Sequence, residues 1–320
     1  MESLYATVTN TSNILSVSYT DSFKAATSTC NINAVTTSLN IGDSVTVYIG
    51  YVGDNFKCIT GYVKNIEYKE PERFYAIYVA NALIRALDYF IASPNPDVPF
   101  SRQNISAEDL IQDLLALSGL TNFVADATSF TFAINNPVEV NLTGCYDYCH
   151  FLAGIIAFTL YADNNGQIHL VDRRPYPVGG EPSDYTWDVA GGQFIEASYT
   201  KSDKDIRNKV IVYGSEGINA QASAVSPYLP SGYYRTVVVA AGGVIDSQSM
   251  AQKSANYNLE LLNRLSETVG ITMIGTTGIV PRTIATITIP TLGISGKWFV
   301  NSVEHKWDNA GYTTSVDCKR

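Results

Sequence analysis

The sequence predicts an α+β protein dominated by β-structure, with strand-rich blocks at both ends and a mixed block between them. Three observations carry this. Tyr is abundant, 21 of 320 residues, and together with Thr, Val and Ile it suits pleated, half-exposed surfaces. Alternating runs recur at short intervals with turn residues between them, the pattern of a small barrel or sandwich. In the middle of the chain the alternation gives way to apolar residues at helical spacing.

Residues 1–80 contain five alternating runs: LYATVTN, ILSVSYTDSF (14–23), SVTVYIG (44–50), GYVKNIEY (61–68) and RFYAIYVA (73–80), with turn signals at 41–43 and 53–55. ANALIRALDYF (80–90) is expected to turn helical. SPNPDVPF (93–100) packs three prolines into six residues, which excludes a helix or a central strand and marks a boundary. The next run, NISAEDLIQDLLALSG, places Ser106 and Asp109 at capping-box spacing. Leu110, Ile111, Leu114, Leu115 and Leu117 form its apolar face, and Gly119 supplies the stop.

LTGCYDYCHFLAGIIAFTLYADNNGQIHLVDRRP (142–175) reads as a helix over 145–156 followed by two strands paired across DNNG, and the Pro/Gly run at 173–185 closes the region. FIEASYTKSD and NKVIVYG (208–214) are strand-like, and 215–245 is small, polar and Gly-rich around one apolar strand, RTVVVAAG (235–242). A long helix is expected over 246–267, capped by Asp246 or Ser247. TVGITMIG, TIATITIP and the two runs of WFVNSVEHKWDNAGYTTSVDC (298–318) supply the last four strands.

A chain of 320 residues is long enough for two or three domains with sizeable cores. A net charge of −9 argues against gripping nucleic acid by its phosphates, though not against a surface past which nucleic acid slides. Cys30, Cys58, Cys145, Cys149 and Cys318 are odd in number and form no CxxC pair, so a complete disulfide framework is not expected and buried small hydrophobes are the default reading. The first ten residues lack the regions of a signal peptide, and the longest apolar run, FLAGIIAFTLYA (151–162), falls short of a membrane span. A soluble protein made in a cytoplasm, without a membrane anchor, is the expectation.

No pattern of catalytic or ligand-binding residues stands out. Cys149 and His150 are neighbours, but adjacent helical residues point about 100° apart and so do not face each other. His150, His169 and His305 lack metal-ligand spacing, and the last two sit in alternating runs where half-exposure is expected. Asp163 opens DNNG as in a calcium loop, but the remaining ligands are missing. GTTGIV (275–280) has neither the Lys nor the context of a phosphate loop. The sequons at Asn10, Asn104 and Asn141 have no meaning without secretion. No catalytic, cofactor-binding or metal-binding residue, and no cofactor, is therefore assigned.

Taken together, the last 110 residues resemble the C-terminal half of the tail hub (baseplate-hub or late-control) family of tailed phages and related injection machines. Asn208, Val210, Val212 and Gly214 match the family's Asn-x-Val-x-Val-x-Gly strand. Trp298, Val300, Val303, His305 and Gly311-Tyr312-Thr313-Thr314 match its closing hairpin. The helix feeding a hairpin through D-x-x-G at 145–172 agrees.

The resemblance implies two small tail-tube-like β-barrels, an intervening α/β domain and a helical insertion. The corresponding division is 1–92, 93–190, 191–214 plus 271–320, and 215–270. It implies a non-enzymatic homotrimeric ring in the virion tail, assembled in the host cytoplasm, that adapts a six-fold tube to a three-fold spike or tip. Its implied partners are the tail tube protein, a spike or tip protein and other baseplate or distal tail proteins, with DNA transiting the lumen unbound. A carbohydrate- or receptor-binding β-protein, with Tyr stacking on sugars, and a two-carboxylate glycoside hydrolase remain as alternatives.

Overall fold

Every strand has two edges of backbone donors and acceptors to satisfy, and the way they are satisfied organises this molecule. The computed structural model describes residues 3–23, 25–95, 98–172, 181–189, 194–263 and 266–320. Six strands come first: β1 (Leu4–Val8), β2 (Thr11–Ser22), β3 (Thr29–Thr37), β4 (Ser44–Tyr51), β5 (Asp54–Lys69) and β6 (Phe74–Asn81). They pair in the order β1-β4-β5-β6-β3-β2, and Val8 opposite Thr11 returns the path to β1, so the circuit closes. Five of them contain the expected alternating runs. The exception is β3, TCNINAVTT, whose small inward Cys30 and Ala34 and outward Asn31 and Asn33 make a weak β-signal.

The middle block holds α1 (Ile84–Asp88), α2 (Ala107–Leu117) and α3 (Cys145–Ile155), then the hairpin of β7 (Phe158–Ala162) and β8 (Ile168–Asp172). Only five residues of the run at 80–90 are helical. The Ser106 hydroxyl accepts the Asp109 N–H at 3.1 Å and starts α2, and Gly119, at φ +78°, ends it. Leu110, Ile111, Leu114 and Leu115 are buried, whereas Leu117, in the last turn, is 39% exposed and lies off that face. Most of the Pro/Gly run, 173–180, lies outside the described residues, as do Pro96 and Asp97.

Besides short two- and three-residue strands in the middle block, the described strands that follow are β9 (Tyr185–Asp188), β10 (Phe194–Ser202), β11 (Lys209–Tyr213), β12 (Asn219–Ser223) and β13 (Thr236–Ala240). After α4 (Gln248–Leu262) come β14 (Ser266–Ile274), β15 (Ile284–Ile289), β16 (Ile294–Asp308) and β17 (Gly311–Lys319). Six of these pair in the order β9-β15-β16-β17-β14-β10. Ser302–Asp308 of β16 also pair with Ser16–Ser22 of β2, which joins both groups of six into one twelve-stranded sheet.

Three expectations are corrected. Residues 208–214, matched to the second barrel, form β11, which pairs with β12 and β13 in a separate sheet. Alternation makes β11 a strand but does not choose its sheet; its inward Val210 and Val212 share a core with Ala251 and Ala255 of α4. Tyr185–Asp188, placed in the middle block, instead joins the twelve-stranded sheet beside β15. The long helix stops at Leu262, and Ser266 and Glu267, expected to be helical, begin β14. Ser247 is its cap, accepting from the Met250 N–H, while the Asp246 carboxylate accepts the N–H groups of Ile134, Asn135 and Asn136.

Two hydrophobic cores result. One fills the twelve-stranded sheet with residues of both groups, such as Val17, Ile59, Val300 and Val316. The other joins α2 and α3 to β11 and α4, so the segment after 215 packs with the middle block. All five cysteines are buried and unpaired.

Candidate functional site

The C-terminal hairpin is not at an edge. β17 pairs with β14, and β16 pairs with β15 through Ile294–Phe299 and with β2 through Ser302–Asp308. The change of partner coincides with a bulge between Val300 and Ser302. One extra residue reverses the alternation, so Trp298 and Val300 face inward before the bulge and Val303, His305 and Trp307 after it. That is the physical meaning of the two unspecified residues between Val300 and Val303 in the hairpin motif.

His305 is fully buried, not half-exposed as its alternating run suggested. Its Nε2 lies 3.1 Å from the Ile279 carbonyl, which can only accept, so Nε2 carries the proton. Nδ1 is then an acceptor, with the Tyr312 hydroxyl at 2.7 Å and the Thr314 hydroxyl at 3.1 Å. Burial pushes the imidazole down to about 4, so it is neutral near pH 7. Phe56 and Tyr19, from the first six strands, lie against it at ring distances of 4.8 and 6.1 Å. The imidazole thus ties GTTGIV, a loop held by Thr314, to the hairpin and to the first group of strands.

A second junction lies nearby. Arg282 donates to the Asp21 carboxylate at 2.6 Å and stacks 4.1 Å from the centre of the Tyr161 ring on β7. The tip of the β7–β8 hairpin docks on the first six strands as well. Asn164 accepts from the Tyr19 hydroxyl at 3.1 Å and donates to the Lys57 carbonyl at 3.0 Å, and Asn165 accepts from Lys57 Nζ at 3.0 Å. Asp163 serves the turn itself, accepting the N–H groups of Asn165 and Gln167. His169 is partly buried beside it at 3.4 Å. Nothing in the sequence flagged Asp21 or Arg282, and the Asn-rich turn was legible only as a turn.

Cys149 and His150 diverge as helical geometry requires: the thiol is buried against α2, and the imidazole is exposed and stacked on Tyr146. Among the described residues no group of three or more His, Cys, Asp or Glu is placed to hold a metal ion, and no helix is long and apolar enough to cross a membrane.

The outward face of the twelve-stranded sheet carries a polar groove. Thr20, Ser302, Glu304, Ser315, Asp317, Gly270, Thr272, Glu196 and Ser198 line a shallow groove across β2, β16, β17, β14 and β10. Its side chains are mostly small hydroxyls and carboxylates, with no Lys or Arg lining it. Ser302 donates to Asp317 at 3.1 Å, and Thr272 meets Ser315 at 3.2 Å.

A family model described as YQBQ-like matches residues 233–319. No curated protein matches the chain by sequence. Among solved structures, it is similar to the 43 kDa tail protein of prophage MuSo2 from Shewanella oneidensis (14% identity, TM-score 0.70, covering 99% of this chain and 98% of that one). It is likewise similar to a tail protein from Neisseria meningitidis MC58 (13% identity, TM-score 0.72, 99% and 96%). A third is the E. coli c3393 protein, a type VI secretion component described as structurally similar to the T4 tail proteins gp27 and gp5 (9% identity, TM-score 0.60, 98% and 76%). The chain therefore has the β-rich fold of these phage tail and type VI secretion proteins.

Proposed function

We propose that this chain is a structural hub of a phage tail baseplate or tail tip, acting by geometry rather than by bond chemistry. The observation that carries this reading is the splice of β16 onto β2, which makes one sheet from two groups of six strands. Each group serves as one barrel-like unit, the first within 1–92 and the second from 185–202 and 266–320. Three chains then place six such units around a ring, which matches a six-fold tube on one side and a three-fold spike on the other. The tube, spike and neighbouring baseplate proteins are its partners, the virion tail its location and the host cytoplasm its place of assembly.

In this ring the polar sheet face lines the channel. Small hydroxyls and the carboxylates of Glu196, Glu304 and Asp317 offer DNA phosphates nothing cationic to hold, so DNA passes without adhering. Light scattering and negative-stain imaging of the protein, alone and mixed with tube and spike proteins, test this. A three-fold ring with a central channel is expected. A chain that stays monomeric with every tail partner overturns the hub reading.

One observation favours a second reading. Tyr213, Tyr228, Tyr233 and Tyr234 are each at least half exposed, and exposed Tyr rings suit stacking on sugars. Saturable binding on a glycan array by a monomeric protein, lost on replacing these residues, would establish a carbohydrate-binding role instead.

A further inference from the structure

A separate cleft of about 230 Å³ lies where β5, α1, the end of α2 and the β7–β8 turn meet. It is set apart by its charge. The chain has 30 Asp and Glu, yet none lines this cleft, and Arg85 is its one charged residue. The Arg85 guanidinium stacks 4.1 Å from the centre of the Tyr62 ring, which orients its plane and leaves its N–H edge available. Among the described residues no carboxylate forms an ion pair with it. Gly119 places no side chain over it: a Cβ there would stand 4.0 Å from Nη1.

The polar groups around Arg85 are biased toward donors. Asn165 Oδ1 is occupied by Lys57 and Asn122 Oδ1 by Gln167, so each has its amide N–H groups left to offer. A cleft with a cation and two amide donors, and without an acid, suits an anion. The planar guanidinium fork suits the two oxygens of a carboxylate. The volume is below the roughly 300–1,000 Å³ typical of drug-sized ligands and fits one side chain.

We propose that this cleft receives the carboxylate of an Asp or Glu side chain carried by a segment of a partner protein. The proposal stands independently of the ring arrangement. Its test is an amide-shift NMR titration of the full isotope-labelled chain with acetyl-Gly-Glu-Gly-amide. Saturable shifts are expected at Gly61, Gly119, Thr121, Asn122 and Gly166. Affinity should fall about tenfold or more in Arg85→Gln, the loss expected for a hydrogen bond to a charged group, and by less in Arg85→Lys, which keeps the charge but not the fork. Acetyl-Gly-Gln-Gly-amide should give no saturable shifts, and sodium acetate should bind at least tenfold more weakly than the Glu peptide. Absence of saturable shifts, equal binding of the Gln peptide, or an unchanged affinity in Arg85→Gln overturns the site. Acetate binding as tightly as the peptide overturns the partner segment and makes the site one for a free small carboxylate.

Discussion

Asp21 Oδ2 and Arg282 Nη2 lie 2.6 Å apart although 261 positions separate them in the chain. Their side chains are only 5% and 12% exposed. Asp21 is near the end of β2, Arg282 precedes β15, and the guanidinium also covers Tyr161 of the middle block, so one ion pair touches all three parts of the molecule. Removing one partner from such a pair strands the other charge in a poorly solvated site. Arg282→Ala is therefore expected to lower stability by about 3–5 kcal/mol. The double variant Asp21→Asn/Arg282→Leu should recover part of that loss. Urea unfolding followed by circular dichroism checks both, and a double variant no more stable than Arg282→Ala would argue against the charge as the cause.

His305 makes stability depend on pH. The folded imidazole is pushed down to about 4 by burial, against an ordinary value of 6.5, with the Ile279 carbonyl acting in the opposite sense. Tyr312, Thr314, Phe56 and Tyr19 face it, and all are neutral at these pH values. Between these two pH values the unfolded chain binds a proton that the folded chain refuses. The contribution is complete above pH 6.5 and is lost as pH falls toward 4, by about 3 kcal/mol for this group. Urea midpoints at pH 7 and 4.5 should converge in His305→Gln relative to the parent; an equal pH slope in both would count against it.

The carboxylate of Glu267 adds a second, more acidic loss. Burial works to raise it, but hydrogen bonds from Arg320, Tyr199 and Lys201 prevail and hold it below its ordinary value of 4.5. Its contribution is present above that value and disappears as pH falls through the lower folded value. Glu267→Gln should leave the midpoint difference between pH 7 and 4.5 nearly unchanged and reduce the further loss below it.

Deleting Asn301 removes the extra residue of the bulge but swaps no faces: Val300 still opposes Cys318 and Ser302 still opposes Asp317, so Val303, His305 and Trp307 stay on the face of Trp298 and Val300. What is lost is the local bend and the bond from the Phe23 N–H to the Asn301 carbonyl. The expected outcome is a cooperative thermal transition at a lower temperature than that of Asn301→Ala, which keeps the extra residue. Loss of the cooperative transition in the deletion variant would mean that the bend itself is required for folding.

Asn164→Ala removes two hydrogen bonds between the hairpin tip and the first strands, to Tyr19 and Lys57. At about 1 kcal/mol each, the docking should weaken measurably. Hydrogen exchange is expected to rise across residues 158–172 while β16 and β17 keep their protection. Uniform loss of protection would mean that the tip stabilises the whole molecule instead.

Much of the local structure was legible. Ser106 and Gly119 delimited α2 because a cap and a left-handed stop are properties of a few consecutive residues. The DNNG turn and the last hairpin could be read from alternation and turn residues for the same reason. Where neighbouring signals were weak, the reading slipped: β3 hides behind Asn and small residues, and nothing before Glu267 announces that α4 has ended five residues earlier.

The sequence by itself determined most of the longer strands and helices and which face of them is apolar. Only the tertiary structure decided which strands are neighbours, because every strand presents the same backbone donors and acceptors and alternation does not distinguish one partner from another. β11 has the expected pattern and lies in a different sheet, and β16 changes partner midway along its length. The same holds for the junctions. Asp21 and Arg282, or Tyr19 and Asn164, acquire their roles when folding brings distant segments within hydrogen-bond reach, since an ion pair or a buried hydrogen bond depends on separation in space and not in sequence.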